Sequence, residues 1–157
     1  GWVDVELTEK GKSEAEKSGL LIKNKNLKID FYYSSLLLRA KNTLEIIQKI
    51  LEDKKNYIKA WQLNERHYGC LTGLNKDDMK RRIGADKVHE FRRSWDIKPE
   101  PLKKNSPHHP TNIKTYEEIP INVIKRVTKP NHVNSAPNLA TTIFLSFIGK
   151  KYLFSSL

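Results

Sequence analysis

Apolar and polar positions along this chain alternate between a helical and an extended period. From Thr8 the text TEKGKSEAEKSGLLIK places Ala15, Gly19 and Ile22 at steps of three and four, which is one face of a helix. Thr8 is a capping residue with acidic residues close behind it, so a helix is predicted over about Glu9 to Lys23. Lys28 to Ser34 (KIDFYYS) is short, aromatic and bounded by polar residues, the mark of a buried strand. In SLLLRAKNTLEIIQKILEDKK, the residues Leu37, Ala40, Leu44, Ile47 and Leu51 form one stripe, with Lys41, Glu45, Lys49 and Glu52 outside it. This amphipathic pattern is the clearest helix in the chain. Tyr57 to Trp61 (YIKAW) reads as a second strand. The order helix, strand, helix, strand predicts an α/β fold with a mostly parallel sheet, covered on both faces.

The second half is less regular. A glycine-bearing loop runs from Glu65 to Gly73, and two polar helices are predicted at about Lys76 to Ile83 and Asp86 to Trp95. Prolines at 99, 101, 107 and 110 make the following stretch irregular. From Ile121 onward the text is rich in Asn, Ser, Thr and Pro, and neither caps nor an amphipathic period can be matched to it.

Charge sharpens that boundary. The chain of 157 residues has 29 Lys and Arg against 18 Asp and Glu, a formal +11. All the acids lie at or before Glu118, and residues 121–157 hold five basic residues, Lys125, Arg126, Lys129, Lys150 and Lys151, which leaves +6 for the body. Without a dense basic block interleaved with aromatics, nucleic acid is not an expected partner. The apolar run Ile143 to Ile148 falls far short of the ~20 residues that span a bilayer, so no membrane association is expected. The single cysteine, Cys70, and an N-terminal stretch (GWVDVELTEKG) with neither basic leader nor apolar core fit a cytoplasmic protein.

Candidate chemistry concentrates in Leu63 to Asn75 (LNERHYGCLTGLN), which packs Glu65, Arg66, His67 and Tyr68 into the loop after the second strand. Ligands of α/β sheets bind at the carboxyl ends of strands. Arg39, at the start of the helix after the first strand, approaches the same kind of edge, and Lys76, Arg92 and Arg93 add cations on short helices. Guanidinium forks match phosphate and carboxylate oxygens, and a lone Glu can move a proton. A phosphorylated carboxylic acid is therefore the ligand class that fits the set, although each residue alone reads first as an ordinary solvated surface charge.

Four blocks in order, GWVDVELTEKGKSEA, DFYYSSLLLRAKNTL, WQLNERHYGCLTGLNK and FRRSWDIKPEPL, resemble the cofactor-dependent phosphoglycerate mutases of the histidine phosphatase superfamily. The resemblance covers residues 1–120. It implies a three-layer α/β/α fold, a phosphohistidine that exchanges a phosphoryl group between the 2- and 3-positions of phosphoglycerate in glycolysis, 2,3-bisphosphoglycerate as primer, no metal, and a homodimer. Glu65 is similar to the proton donor and acceptor, and Arg39 to the arginine that braces the phosphoryl group. Gly1, Arg66, His67, Tyr68, Lys76, Arg92 and Arg93 match positions that line the bisphosphoglycerate and substrate pocket.

Two family texts do not occur in the chain: the Arg-His-Gly motif of the first, central strand, which carries the nucleophile, and the later His-Gly-Asn-Ser strand. None of His67, His89, His108, His109 and His132 follows an Arg and precedes a Gly, so none is expected to replace the nucleophile, and Cys70 reads as a small loop residue. The expectation is a fragment of the fold, lacking the first central strand and the C-terminal strand–helix portion. It would be an inactive, marginally stable remnant that keeps the family dimer with difficulty. Residues 121–157 are expected to be an unrelated, out-of-frame or disordered tail. The alternatives are a non-enzymatic phosphoglycerate- or anion-binding module, a basic nucleic-acid-associating protein, or an excerpt of a complete active mutase.

Overall fold

The computed structural model describes residues 1–94, 97 and 99–128, apart from the Arg126 side chain. These fall into two compact units, one made of Asp4–Asn64, the other of Gly1–Val3 with residues from Glu65 onward.

The Asp4–Asn64 unit is the α/β part. Helix α1 spans Glu9–Asn24, and Thr8 caps it as predicted, its Oγ1 accepting the Gly11 N–H at 3.1 Å. Helix α2 spans Leu38–Leu51 and buries Leu44 and Ile47 from the predicted stripe. Gly19 lets the two helices approach closely, since a Cβ there would meet the Ile50 side chain at 3.0 to 3.3 Å. Strands β1 (Tyr32–Ser34) and β2 (Tyr57–Lys59) pair in parallel, with Tyr32 opposite Tyr57 and Ser34 opposite Lys59. Ile29, Tyr32 and Leu44 form the core, with Ile22, Leu51 and Tyr57 packed against it.

Both strands are shorter than the sequence suggested. Pairing lasts three residues, after which Trp61–Leu63 turns into a 3₁₀ helix, while Lys28–Phe31 precedes the ladder. The expected cover on both faces is also incomplete among the described residues: Phe31 is 58% and Ile58 52% exposed. A two-stranded parallel ladder offers too little surface to bury every apolar residue along it.

In the other unit, Trp2 and Tyr116 anchor the core. Tyr116 Oη donates to the Trp2 carbonyl at 2.7 Å, and the rings lie 5.0 Å apart. Leu71, Leu102, Ile119, Val123 and Ile124 are buried in the same unit. Helices α3 (Lys76–Ile83) and α4 (Ala85–Arg93) meet at Gly84, whose φ of 89° only glycine adopts readily.

Helix α5 (Ile121–Thr128) corrects the reading that no helical pattern starts at Ile121. The Val123 and Ile124 amides bond the Pro120 carbonyl at 2.9 and 3.1 Å, and the Thr128 hydroxyl bonds the Ile124 carbonyl at 2.7 Å. Its text, INVIKRVT, is rich in β-branched residues of weak helix propensity, so burial rather than propensity specifies it. The rest of the predicted tail, residues 129–157, lies outside the described residues.

Candidate functional site

The unit that contains Glu65 gathers most of the singled-out residues around its carboxylate. Glu65 follows directly on the loop after β2, and both its oxygens accept: Oε1 from the Tyr68 hydroxyl at 2.9 Å, Oε2 from the Gly1 nitrogen at 2.5 Å. The Trp2 indole N–H donates to the Glu65 carbonyl at 2.6 Å, which fixes the backbone from which the carboxylate projects. Arg92, on α4, lies with its guanidinium carbon 4.2 Å from the centre of the Tyr68 ring. Arg66 Nη1 donates to the Ser94 carbonyl at 2.6 Å, tying the loop to the end of α4. A carboxylate, a phenol and two guanidinium groups thus share one unit.

Burial raises the pKa of the Tyr68 phenol, and the Glu65 carboxylate raises it further, while Arg92 and Arg66 oppose the shift. Tyr68 therefore stays protonated at neutral pH and serves Glu65 as a donor.

His67 has a different place. It is only 6% exposed; its Nδ1 accepts the Gly69 N–H at 3.0 Å and its ring meets Trp2 edge to face at 5.7 Å. Accepting at Nδ1 puts the proton of the neutral ring on Nε2, an atom that is buried with no hydrogen-bond partner. Burial pushes its pKa down to about 4, helped by the neighbouring His109. It supports the loop and is not accessible to react.

Cys70 sits in the 3₁₀ turn Gly69–Leu71, where burial raises the thiol pKa, and its N–H donates to the Glu100 carbonyl at 2.8 Å. It is no thiolate nucleophile. Gly69 (φ +53°) and Gly73 (φ +82°) shape this loop, and a Cβ on either would collide with the Glu100 carbonyl oxygen or the His108 ring respectively.

Of the remaining expected site residues, two share the unit of the cluster without bonding to Glu65 and one belongs to the other unit. Lys76 opens α3 and Arg93 closes α4, both exposed, and among the described residues no hydrogen bond or ion pair ties either to Glu65. Arg39 belongs to the Asp4–Asn64 unit, as the second residue of α2. Trp2 was not singled out from the sequence, although an indole beside Gly1 in an otherwise polar stretch was the available signal. Among the described residues, no group of three or more His, Cys, Asp or Glu is arranged to hold a metal, and no helix is long and apolar enough to cross a membrane.

A short parallel ladder that alternates with helices along the chain, followed in sequence by the Glu65 cluster, is what a fragment of a larger α/β fold provides. Residues 1–110 match the profile of the histidine phosphatase superfamily (branch 1), and the chain belongs to that family. It is 62% identical over 120 residues to the 2,3-bisphosphoglycerate-dependent phosphoglycerate mutase of Pelagibacter ubique, covering 76% of this chain and 50% of the relative. To the protein of the same name from Borreliella burgdorferi it is 46% identical over 123 residues, 76% of this chain and 49% of the relative. To that of Hamiltonella defensa it is 40% identical over 144 residues, 91% of this chain and 54% of the relative, a likeness that runs past residue 120. The chain spans about half the length of the curated relatives it matches.

Proposed function

We propose that these residues supply the substrate-holding and proton-transfer part of a phosphoglycerate mutase, and that the 157-residue chain alone binds phosphoglycerate without turning it over. The observation that carries this reading is the Glu65 carboxylate, held by the Tyr68 hydroxyl and the Gly1 nitrogen, with Arg92 against the Tyr68 ring. Phosphoryl transfer asks mainly for charge stabilisation and alignment. Arg66, Lys76, Arg92 and Arg93, all in the Glu65-bearing unit, supply positive charge for the phosphate and carboxylate of the substrate, while Arg39, in the Asp4–Asn64 unit, is read as a phosphoryl-binding residue on the family resemblance alone. Gly1, His67 and Tyr68 shape the pocket beside Glu65. In the family's exchange, the Glu65 carboxylate would take the proton of the acceptor hydroxyl as that oxygen bonds phosphorus and the bond from phosphorus to the histidine nitrogen breaks, and would return it in the reverse step, when the P–O bond breaks and the P–N bond re-forms.

The nucleophile of that exchange, a histidine between Arg and Gly, is absent from the text of the chain. His67 does not replace it, because its ring is buried and its Nδ1 is engaged. The 2,3-bisphosphoglycerate primer named for the relatives accordingly has nothing here to phosphorylate. Calorimetric titration of 3-phosphoglycerate into the full chain tests the reading. Saturable binding that weakens at least tenfold in Arg92→Ala is expected, and absence of heat at millimolar ligand would refute it.

A further inference from the structure

Helix α2, which carries Arg39, starts without a local cap. Its N-cap residue is Leu37, which has no side-chain acceptor, and its first turn contains no acidic residue, yet the amides of a helix start need partners. Two residues remote in sequence hold this start, one on the first helical amide and one on the amide just before the cap. Asp4 Oδ1 accepts the Leu38 N–H at 2.6 Å, and Asn64 Oδ1 accepts the Leu36 N–H at 3.0 Å. A backbone N–H can only donate, so the Asn64 amide is fixed in this orientation. Asn64 is 5% exposed, and its Nδ2 is buried without a partner among the described residues, so the bond through Oδ1 is what holds it. The Asp4 carboxylate also faces the positive end of the helix dipole, where a negative charge is favoured.

We propose that Asp4 and Asn64 are positioning residues for Arg39. This rests on the reading of Arg39 as a residue that binds the substrate phosphoryl group. Arg39 follows Leu38 directly, and a long side chain is aimed only as well as the turn that roots it. One tether comes from the segment before α1 and the other from the segment after β2, and both are needed because the local sequence, SLLLRA, offers only the Ser35 hydroxyl, 3.3 Å from the Leu37 N–H.

The test uses the full chain and the variants Asp4→Ala, Asp4→Asn, Asn64→Ala and Leu38→Pro. The last deletes the donor at the first helical position, where proline is tolerated, and so removes the Asp4 bond without touching Asp4. The measurements are the Kd for 3-phosphoglycerate, the thermal midpoint, and the solvent exchange rate of the Arg39 Nε–H by NMR. Asp4→Ala, Asn64→Ala and Leu38→Pro are expected to weaken binding by about 10- to 100-fold and to accelerate Arg39 exchange, whereas Asp4→Asn, which keeps the acceptor, retains affinity within about threefold. Folded Asp4→Ala and Leu38→Pro with wild-type Kd and wild-type exchange would overturn the proposal. So would equal damage from Asp4→Asn and Asp4→Ala. Should the parent chain bind no 3-phosphoglycerate, the ligand reading falls and the exchange rate alone decides: acceleration in Asp4→Ala sustains the positioning role, and no change refutes it.

Discussion

Acidification should destabilise the Glu65-bearing unit through His67. The folded state lowers the His67 pKa from 6.5 to about 4, so between those values the unfolded chain binds a proton that the native ring refuses. Stability is then fully present above pH 6.5 and is lost as pH falls toward 4. Linkage sets the size: the loss between pH 7 and pH 5 is about 2 kcal/mol, and the full difference near pH 4 is about 3 kcal/mol. The structural cause is specific. Nδ1 is the only ring nitrogen free to take the proton, and protonating it turns the Gly69 N–H from a donor with an acceptor into one of two opposed donors, inside a pocket closed by Trp2. His109, which is buried and itself depressed in pKa, adds to the effect with the same sign. Urea unfolding followed by tryptophan fluorescence at pH 7, 6 and 5 measures it. The control is His67→Asn, whose Oδ1 is placed to accept the Gly69 N–H but does not titrate. The pH dependence of His67→Asn should be shallower than that of the parent by about 2 kcal/mol over this range. Equal slopes for the two proteins would refute the assignment of the shift to His67.

Three further outcomes follow from the packing and the site. Leu44→Ala, at a fully buried position of the α2 stripe, should cost about 2–5 kcal/mol by chemical denaturation; a loss under 1 kcal/mol would mean that the Asp4–Asn64 unit lacks the described core. Gly69→Ala forces a side chain into positive φ against the Glu100 carbonyl and should lose about 1–3 kcal/mol, with Gly84→Ala, where nothing lies within 4 Å of the new carbon, separating backbone strain from collision. Ultraviolet titration of tyrosine should move the Tyr68 transition to lower pH in Glu65→Gln and to higher pH in Arg92→Met, because the carboxylate raises this pKa and the guanidinium lowers it; a shift of the opposite sign in either variant would contradict the described contacts.

The sequence was most legible where one signal decided the structure. The stripe of α2 and the Thr8 cap of α1 are local patterns, and both appear as predicted. Strand ends were overextended because residues 28–31 and 60–61 have the composition of a strand, while the ladder stops where pairing partners run out. Helix α5 was missed for the opposite reason: β-branched residues hide a helix whose start is set by the Pro120 carbonyl and whose buried side is set by packing. The Glu65 cluster was visible as text similar to a family, and partly as chemistry, but the part played by Trp2 was not. Its indole N–H reaches the Glu65 carbonyl across 63 positions, and the tether from Asp4 to Leu38 crosses 34. No local pattern encodes such contacts.

The central claim, ligand binding without turnover, is tested most directly by ³¹P NMR of 3-phosphoglycerate mixed with the full 157-residue chain and a catalytic amount of 2,3-bisphosphoglycerate. A saturable shift or broadening of the 3-phosphoglycerate signal, with no 2-phosphoglycerate signal growing over hours, is predicted; an unperturbed signal, or the appearance of 2-phosphoglycerate, would contradict the account.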